Sequence, residues 1–259
     1  MPASLTLSLD DYDLDDFVAL AAHYGQSSFG YVVTPNVDHV IRYCDDAEFR
    51  QLYAHAAYVL LDSRLLARIL WLTRGMKPPV CPGSDLTARL VPLIAPRDPV
   101  VLIGGSAQQA QRLAELYRIQ GLRHYNPPMG FIRDPEAVEQ TLRFVEAHSP
   151  FRFCFLAVGA PQQEMLAYAL KQRGLARGLA FCFGASINFL TGAERRAPLW
   201  MQWLSLEWLY RLLQDPGRMA KRYLVRGPRI FWLLPRIQFE LRRQTATVAG
   251  DGRSSRGPT

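Results

Sequence analysis

The sequence predicts an α/β fold: a largely parallel sheet flanked by helices, with a C-terminal amphipathic helical appendage. Three observations lead there. Short runs of β-branched and aromatic residues alternate with longer stretches of helical period, which is the pattern of βα units. Each run ends in a polar or glycine-rich turn. The excess positive charge is held back to the last quarter of the chain, where arginine mixes with tryptophan and leucine.

Taken in order, strands are predicted near Tyr31–Thr34, Tyr58–Leu61, Val100–Gly104, Leu122–Tyr125, Phe153–Val158 and Leu179–Phe183. Between them, stretches such as Ala107–Gln120 and Pro135–Ala147 have the length and period of helices. Further on, Trp200, Trp203, Leu204, Trp208 and Leu212 recur at helical spacing with Arg211, Arg218 and Arg222 beside them. Asp215-Pro216 reads as a cap followed by proline at the first helical position, so one helix stops near Gln214 and another starts at once. The chain divides into an α/β domain over 1–195, a helical membrane-docking appendage over 196–243 and a small, polar tail over 244–259 that is expected to be disordered.

A chain of 259 residues with 49% hydrophobic content can bury a full core. Its net charge of +7 is uneven: residues 195–259 carry 13 Lys and Arg against 4 Asp and Glu, leaving 17 against 19 for the rest. Basic residues beside Trp and Leu favour a membrane surface over nucleic acid. The competing reading buries the tryptophans and solvates the arginines. Seven basic residues and one acid, Asp215, lie between Arg211 and Arg236. At about 1 kcal/mol for each basic residue near an anionic leaflet, half of them engaged give about 3 to 4 kcal/mol, enough for reversible docking.

The four cysteines are scattered without zinc spacing, which fits a reducing cytosol. The N-terminus has neither the basic nor the apolar region of a signal peptide, and no apolar run reaches the roughly 18 residues a spanning helix needs. A cytosolic chain that meets a membrane surface is the expectation.

The turns that follow the strands carry the unusual residues: Thr34-Pro35-Asn36, Asp62-Ser63, Gly104-Gly105-Ser106, Asn126-Pro127-Pro128, Gly159 to Glu164, and Gly184 to Asn188. In an open α/β sheet the carboxyl ends of the strands are where ligands bind, so six turns are predicted to face one crevice. Gly104-Gly105 ahead of a helix can offer N–H groups to a phosphate, but it is neither GxGxxG nor GxxxxGK[ST], so a dinucleotide or P-loop reading is not earned. Gln163 and Glu164 offer hydrogen bonds to a sugar or ribose, or Glu164 merely caps its helix. Asp62 follows the apolar run Val59-Leu60-Leu61, which would hold its carboxylate partly desolvated as a general base; the alternative is a helix cap. Thr34 and Asn36 could fix an acceptor hydroxyl, or simply close a turn. The acidic start from Asp10 to Asp16 contains DxD matches but precedes the first predicted strand, so a metal is not expected there. None of the five histidines has ligand spacing, and His124 alone falls near the crevice.

Read together, VTPN at 33–36, GSDL at 83–86, Gly104-Gly105, NPPMGF at 126–131, VGAPQQE at 158–164, FGASINFLTG at 183–192, RRAP at 195–198 and EWLYRLLQDPGRMAKRY at 207–223 resemble the TagA/WecG/CpsF glycosyltransferase family over roughly residues 5–230. The resemblance implies a Rossmann-like, inverting transferase that moves N-acetylmannosamine or a related hexose from a UDP-sugar to an undecaprenyl-diphosphate-linked acceptor, without an obligatory metal or other cofactor. It implies Asp62 as base, Thr34 and Asn36 beside it, and Gln163 in the pocket. Gly104, Gly105, Asn126, Pro127, Gly159, Glu164, Gly184 and Asn188 join these as substrate-binding candidates. Arg195, Arg196, Trp208, Arg211, Arg218 and Arg222 fall to the lipid diphosphate and membrane. The chain makes three departures from the family pattern: Leu61 and Ser63 flank Asp62 in place of Ala and Gly, Val80 stands where Arg is frequent, and Asn188 where Asp is frequent. The diphosphate contact then falls to Arg64, or to Arg195 and Arg196. The rival classes are a Rossmann-type nucleotide-dependent oxidoreductase and a non-enzymatic membrane-binding protein. The sugar, the acceptor glycan and any homo-oligomer are left open.

Overall fold

The computed structural model describes residues 5–184 and 186–243. The first half of the chain runs β1 (Leu5–Asp10), α1 (Leu14–Ala22), β2 (Phe29–Val33), α2 (Val37–Asp45), α3 (Ala47–Ala54), β3 (Tyr58–Val59), α4 (Arg64–Arg74) and α5 (Gly83–Leu90). It continues through β4 (Val100–Ile103), α6 (Ala107–Tyr117), β5 (Leu122–Tyr125), α7 (Pro135–Ala147), β6 (Phe153–Leu156), α8 (Gln162–Arg173), β7 (Gly178–Cys182) and α9 (Ser186–Leu190). The appendage holds α10 (Leu199–Trp203), α11 (Glu207–Gln214), α12 (Pro216–Ala220), a π-helical turn (Lys221–Arg226) and α13 (Ile230–Leu233), and the chain closes on β8 (Ile237–Arg242).

Six strands form one sheet in the order β3-β2-β7-β6-β4-β5, every neighbouring pair parallel. Both faces are covered, and the period-two alternation sorts the strand residues between them. Tyr31, Val33, Ile103, Leu156 and Ala180 enter one core, while Val32, Leu102, Phe155 and Phe181 enter the other. All six predicted strands are present, most of them shorter by a residue or two at the carboxyl end. From β2 the chain steps outward to β3, and from β4 outward to β5 at the opposite edge; β6 and β7 then fill the middle. Onward connections from β4 and β6 thus leave in opposite directions, which opens a crevice at their carboxyl ends.

The sequence missed a second sheet. β1 and β8 pair in parallel, in register from Leu5 with Ile237 to Asp10 with Arg242. Two expectations change with it. The acidic cluster does not precede the first strand: Asp10 ends β1 and is buried. Residues 237–242, assigned to the helical appendage, are strand, because Ile237, Phe239 and Leu241 alternate with polar neighbours at a period of two. Ile237 and Phe239 join Leu7 and Leu9 in the core, so the end of the appendage is stitched into the α/β domain.

The tryptophan stripe is not one helix either. Ser205 adopts φ 60° in the left-handed region, which breaks the chain between α10 and α11. The boundary at Asp215-Pro216 falls where expected, with α11 ending at Gln214 and α12 starting at Pro216. Trp200 and Trp203 are 60% and 77% exposed, so the core alternative fails for them. Among the described residues no helix is long and apolar enough to cross a membrane. The tail expected from 244 lies outside the described residues.

Candidate active site

A cavity of about 740 Å³ opens at the carboxyl edge of the main sheet and runs under the appendage. Five of the six predicted turns reach it, those after β2, β3, β4, β6 and β7. The sixth does not. β5 is the edge strand beyond β4, so Asn126 and Pro127 lie outside the cavity, Asn126 exposed and Pro127 buried. Strand order decides this, and strand order is not written in a strand's own residues.

Asp62 stands three residues past β3 and is pinned from both sides. Its N–H donates to Pro35 O at 3.0 Å, and the Cys81 N–H donates to Leu61 O at 2.7 Å. The Gly83 N–H donates to Asp62 Oδ1 at 2.8 Å. Burial raises the carboxyl pKa above its ordinary value; the Gly83 hydrogen bond, the charges of Arg211 and Arg222 and the Asn36 side chain pull against that rise. Ser63 settles the capping question, since its Oγ accepts from Leu66 N at 3.1 Å and caps α4, leaving Asp62 free of that duty.

Thr34 is buried and lines the cavity beside Asp62. Asn36 does two things at once. Its Oδ1 accepts from Asp38 N at 3.0 Å and His39 N at 3.4 Å, which caps α2, and Nη2 of Arg222 also donates to it at 3.4 Å. Arg222 thereby reaches from the appendage to the loop next to the predicted base. His39, which spacing did not single out, lines the same wall; its Nδ1 lies 3.0 Å from the Tyr53 hydroxyl. Burial first, then Arg222, lowers its pKa to about 4, so it is neutral near pH 7. The available signal was its place in the first turn of the helix after Asn36. His124 instead faces the carbonyls of Gly104 and Gly105 at 3.1 and 3.2 Å, outside the cavity lining.

Gln163 is 3% exposed, and its amide is almost fully committed. Nε2 donates to Glu164 Oε1 at 2.7 Å and Cys182 O at 2.9 Å, while Oε1 accepts from Gly184 N at 2.8 Å. It ties the turn after β6 to the turn after β7 and keeps an acceptor lone pair for a ligand. Glu164 is wholly buried and lies behind Gln163 instead of lining the cavity. Burial pushes its pKa up to about 7. Gly105, Gly159 and Gly184 line the cavity; Gly104 does not. At φ 93°, a Cβ on Gly104 would stand 2.7 Å from Ala157 O, so this glycine serves the close approach of two strand ends.

Asn188 lines the cavity and bridges two partners, accepting from Gln109 Nε2 at 2.8 Å and donating to Glu194 Oε1 at 2.9 Å. An aspartate could not make the second bond without a proton. Arg195, Arg211 and Arg222 also line the cavity, with Arg211 over the Phe189 ring. Arg64 and Arg196 are engaged elsewhere. Both pair with Asp85, at 2.9 and 2.7 Å, and Arg64 also pairs with Glu207 at 2.9 Å. Val80 packs against the core. Trp208 is half-buried, edge-on to Tyr223. Arg218 belongs to α12, and its side chain lies outside the described residues.

The site therefore gathers a desolvated carboxylate, a buried threonine, a neutral histidine and three arginines around one cavity. Among the described residues no cluster of three or more His, Cys, Asp or Glu is placed to hold a metal ion. A model described as the glycosyl transferase WecG/TagA/CpsF family matches residues 3–244.

Proposed function

The chain belongs to the WecG/TagA/CpsF family of glycosyl transferases, enzymes of cell-surface polymer synthesis, and from that premise we propose what it transfers and where. It moves a hexosyl residue, N-acetylmannosaminyl or a related one, from a UDP-sugar to an undecaprenyl-diphosphate-linked glycan. The reaction runs with inversion at the inner face of the cell membrane, in exopolysaccharide or related polymer synthesis. The observation that carries this reading is Asp62, a desolvated carboxylate in the wall of a cavity that Arg195, Arg211 and Arg222 also line.

The chemistry follows from those positions. The acceptor hydroxyl oxygen attacks the anomeric carbon as its proton passes to Asp62, and the bond from that carbon to the UDP oxygen breaks with its electron pair on the leaving diphosphate. Arg195, Arg211 and Arg222 stabilise the charge that develops there, the part a divalent cation plays in other sugar-nucleotide enzymes. Thr34 and Asn36 orient the acceptor. Gln163 holds the turns after β6 and β7 in place and offers its free lone pair to a donor hydroxyl or N–H. The exposed Trp200 and Trp203, with the basic residues after Arg211, hold the appendage on an anionic leaflet, so a lipid-bound acceptor meets the cavity by diffusion in two dimensions.

Transfer of radiolabelled sugar from a panel of UDP-hexoses to a lipid-diphosphate-linked acceptor tests the reading. Incorporation by the wild type and its loss in Asp62→Asn, with UDP binding retained, are expected. Hydride transfer to a nicotinamide cofactor, or no transfer from any UDP-sugar, would overturn it.

A further inference from the structure

Helix α4 belongs to the α/β domain, yet its outer face is as apolar as the appendage. Trp71 is 51% and Leu72 75% exposed. From Ser63 to Ser84 the chain carries Arg64, Arg68, Arg74 and Lys77 and no acid. The Lys77 ammonium lies 5.6 Å from the centre of the Trp71 ring.

The position of α4 gives that face a meaning. Arg68, one turn before Trp71 and Leu72, donates to the carbonyls of Trp203 and Leu204 where α10 ends. Arg74, three residues past Trp71, donates to Leu234 O and to Ile237 O at 2.7 Å, where the appendage returns to the sheet. The helix is thus braced between the two ends of the appendage, whose own exposed rings are Trp200 and Trp203 on one side and Phe231 and Trp232, 63% and 70% exposed, on the other.

We propose that α4 is part of the membrane contact: Trp71 and Leu72 enter an anionic lipid surface between Trp200 and Trp203 of α10 and Phe231 and Trp232 of α13, with Lys77 on a lipid phosphate while Arg68 and Arg74 hold the helix to the appendage. The inference rests on the docking reading above and extends it from the appendage to the α/β domain. Positive charge without acid around an exposed Trp-Leu pair is the chemistry of an anionic interface. A contact spanning both parts fixes the tilt of the cavity mouth relative to the bilayer, which one appendage helix could not do.

Sedimentation with phosphatidylglycerol-containing vesicles tests it on the full chain. The double variant Trp71→Ser/Leu72→Ser is compared with Trp203→Ser/Trp232→Ser and with Leu116→Ser, an exposed leucine on α6. All these side chains are solvent-facing, and unchanged melting temperatures verify the folds. The α4 pair is expected to weaken partitioning about tenfold, the appendage pair by a similar factor, and Leu116→Ser not at all. Full binding by the α4 variant with loss in the appendage variant would overturn this inference and leave appendage docking intact. A wild type that does not sediment would overturn the docking reading itself. An α4 variant that turns an oligomer into a monomer in analytical ultracentrifugation, with vesicle binding unchanged, would make the face an interface between copies and equally overturn the proposal.

Discussion

The Gly83 amide and the Asp62 carboxylate, 21 residues apart, meet at 2.8 Å across the mouths of two loops. This bond fixes the carboxylate without neutralising it. A protonated acid gains less from an N–H donor than an ionised one does, so Gly83 favours the form of Asp62 that a base must have while burial presses it toward the neutral form. Gly83 has little room for anything larger: a Cβ there would stand 3.3 Å from Phe183 Cδ1 and 3.5 Å from Thr34 Oγ1.

For catalysis this predicts a sigmoidal acid limb in kcat/KM, with activity rising as Asp62 ionises at a pH above the ordinary carboxylate range. Asp62→Asn is expected to lower kcat by about 10² to 10⁴ and to abolish the limb. Steady-state pH profiles of the two proteins check it, and near-normal turnover in the variant would remove Asp62 from the mechanism.

Glu164 predicts a pH effect on stability. Its folded pKa of about 7 lies above the ordinary 4.5, so the folded state binds its proton more tightly than the unfolded chain does. The stability this provides is complete below about pH 4.5 and is lost as pH rises through about 7. The span corresponds to about 3 kcal/mol at most. Gln at this position keeps an acceptor for Gln163 and stays neutral throughout. Thermal melts of Glu164→Gln should therefore show a flatter dependence between pH 5 and 8 than the wild type, and parallel curves would contradict the assignment.

How far the sequence could be read depended on the range of the interaction. The strands of the main sheet were legible because all but β5, which reads Leu-Arg-His-Tyr, lie in apolar runs closed by a turn, and the Thr34, Asp62 and Gly159 turns because they follow such runs. Asn126 stands outside the cavity because β5 falls at the edge of the sheet, a consequence of pairing between distant segments. Glu164 is set back from the cavity for a related reason: adjacency to Gln163 in sequence says nothing of which of the two faces the cavity and which the core. The β1 and β8 pairing joins segments 232 residues apart, and the alternation within each was visible only once the other was known.

That pairing supports a prediction of its own. Asp10 accepts from Arg242 Nε at 2.7 Å and Nη2 at 3.2 Å, and its Oδ2 also accepts from Val59 N at 2.7 Å. One buried carboxylate thus joins β1, β3 and β8. Asp10→Ala strands a backbone donor and the guanidinium together and is expected to cost about 3 kcal/mol of unfolding free energy, measured by urea titration. Asp10→Asn, which can still accept from Val59, is expected to cost less. Equal losses would mean that charge, and not the hydrogen-bonding shape, holds the strands.

Asp85 is the hinge pin between the domain and its appendage, because Arg64 of α4 and Arg196 at the start of the appendage share its carboxylate and Arg64 passes on to Glu207 of α11. The four side chains are 19% to 30% exposed, so screening limits each pair to about 1 kcal/mol. Their arrangement matters more than their sum. Asp85→Asn leaves two guanidinium groups facing each other with Glu207 alone to balance them, which loosens the root of α10 and α11 while the main sheet is untouched. Hydrogen exchange in α10 and α11 is then expected to quicken with the strands of the sheet unchanged. The KM for the lipid-linked acceptor should rise several-fold while that for the UDP-sugar holds, since the appendage carries the acceptor and the sheet edge carries the donor. A rise in both constants together would place Asp85 in the donor pocket instead, and unchanged exchange in α10 and α11 would show that the strand β8 clasp alone keeps the appendage closed over the cavity.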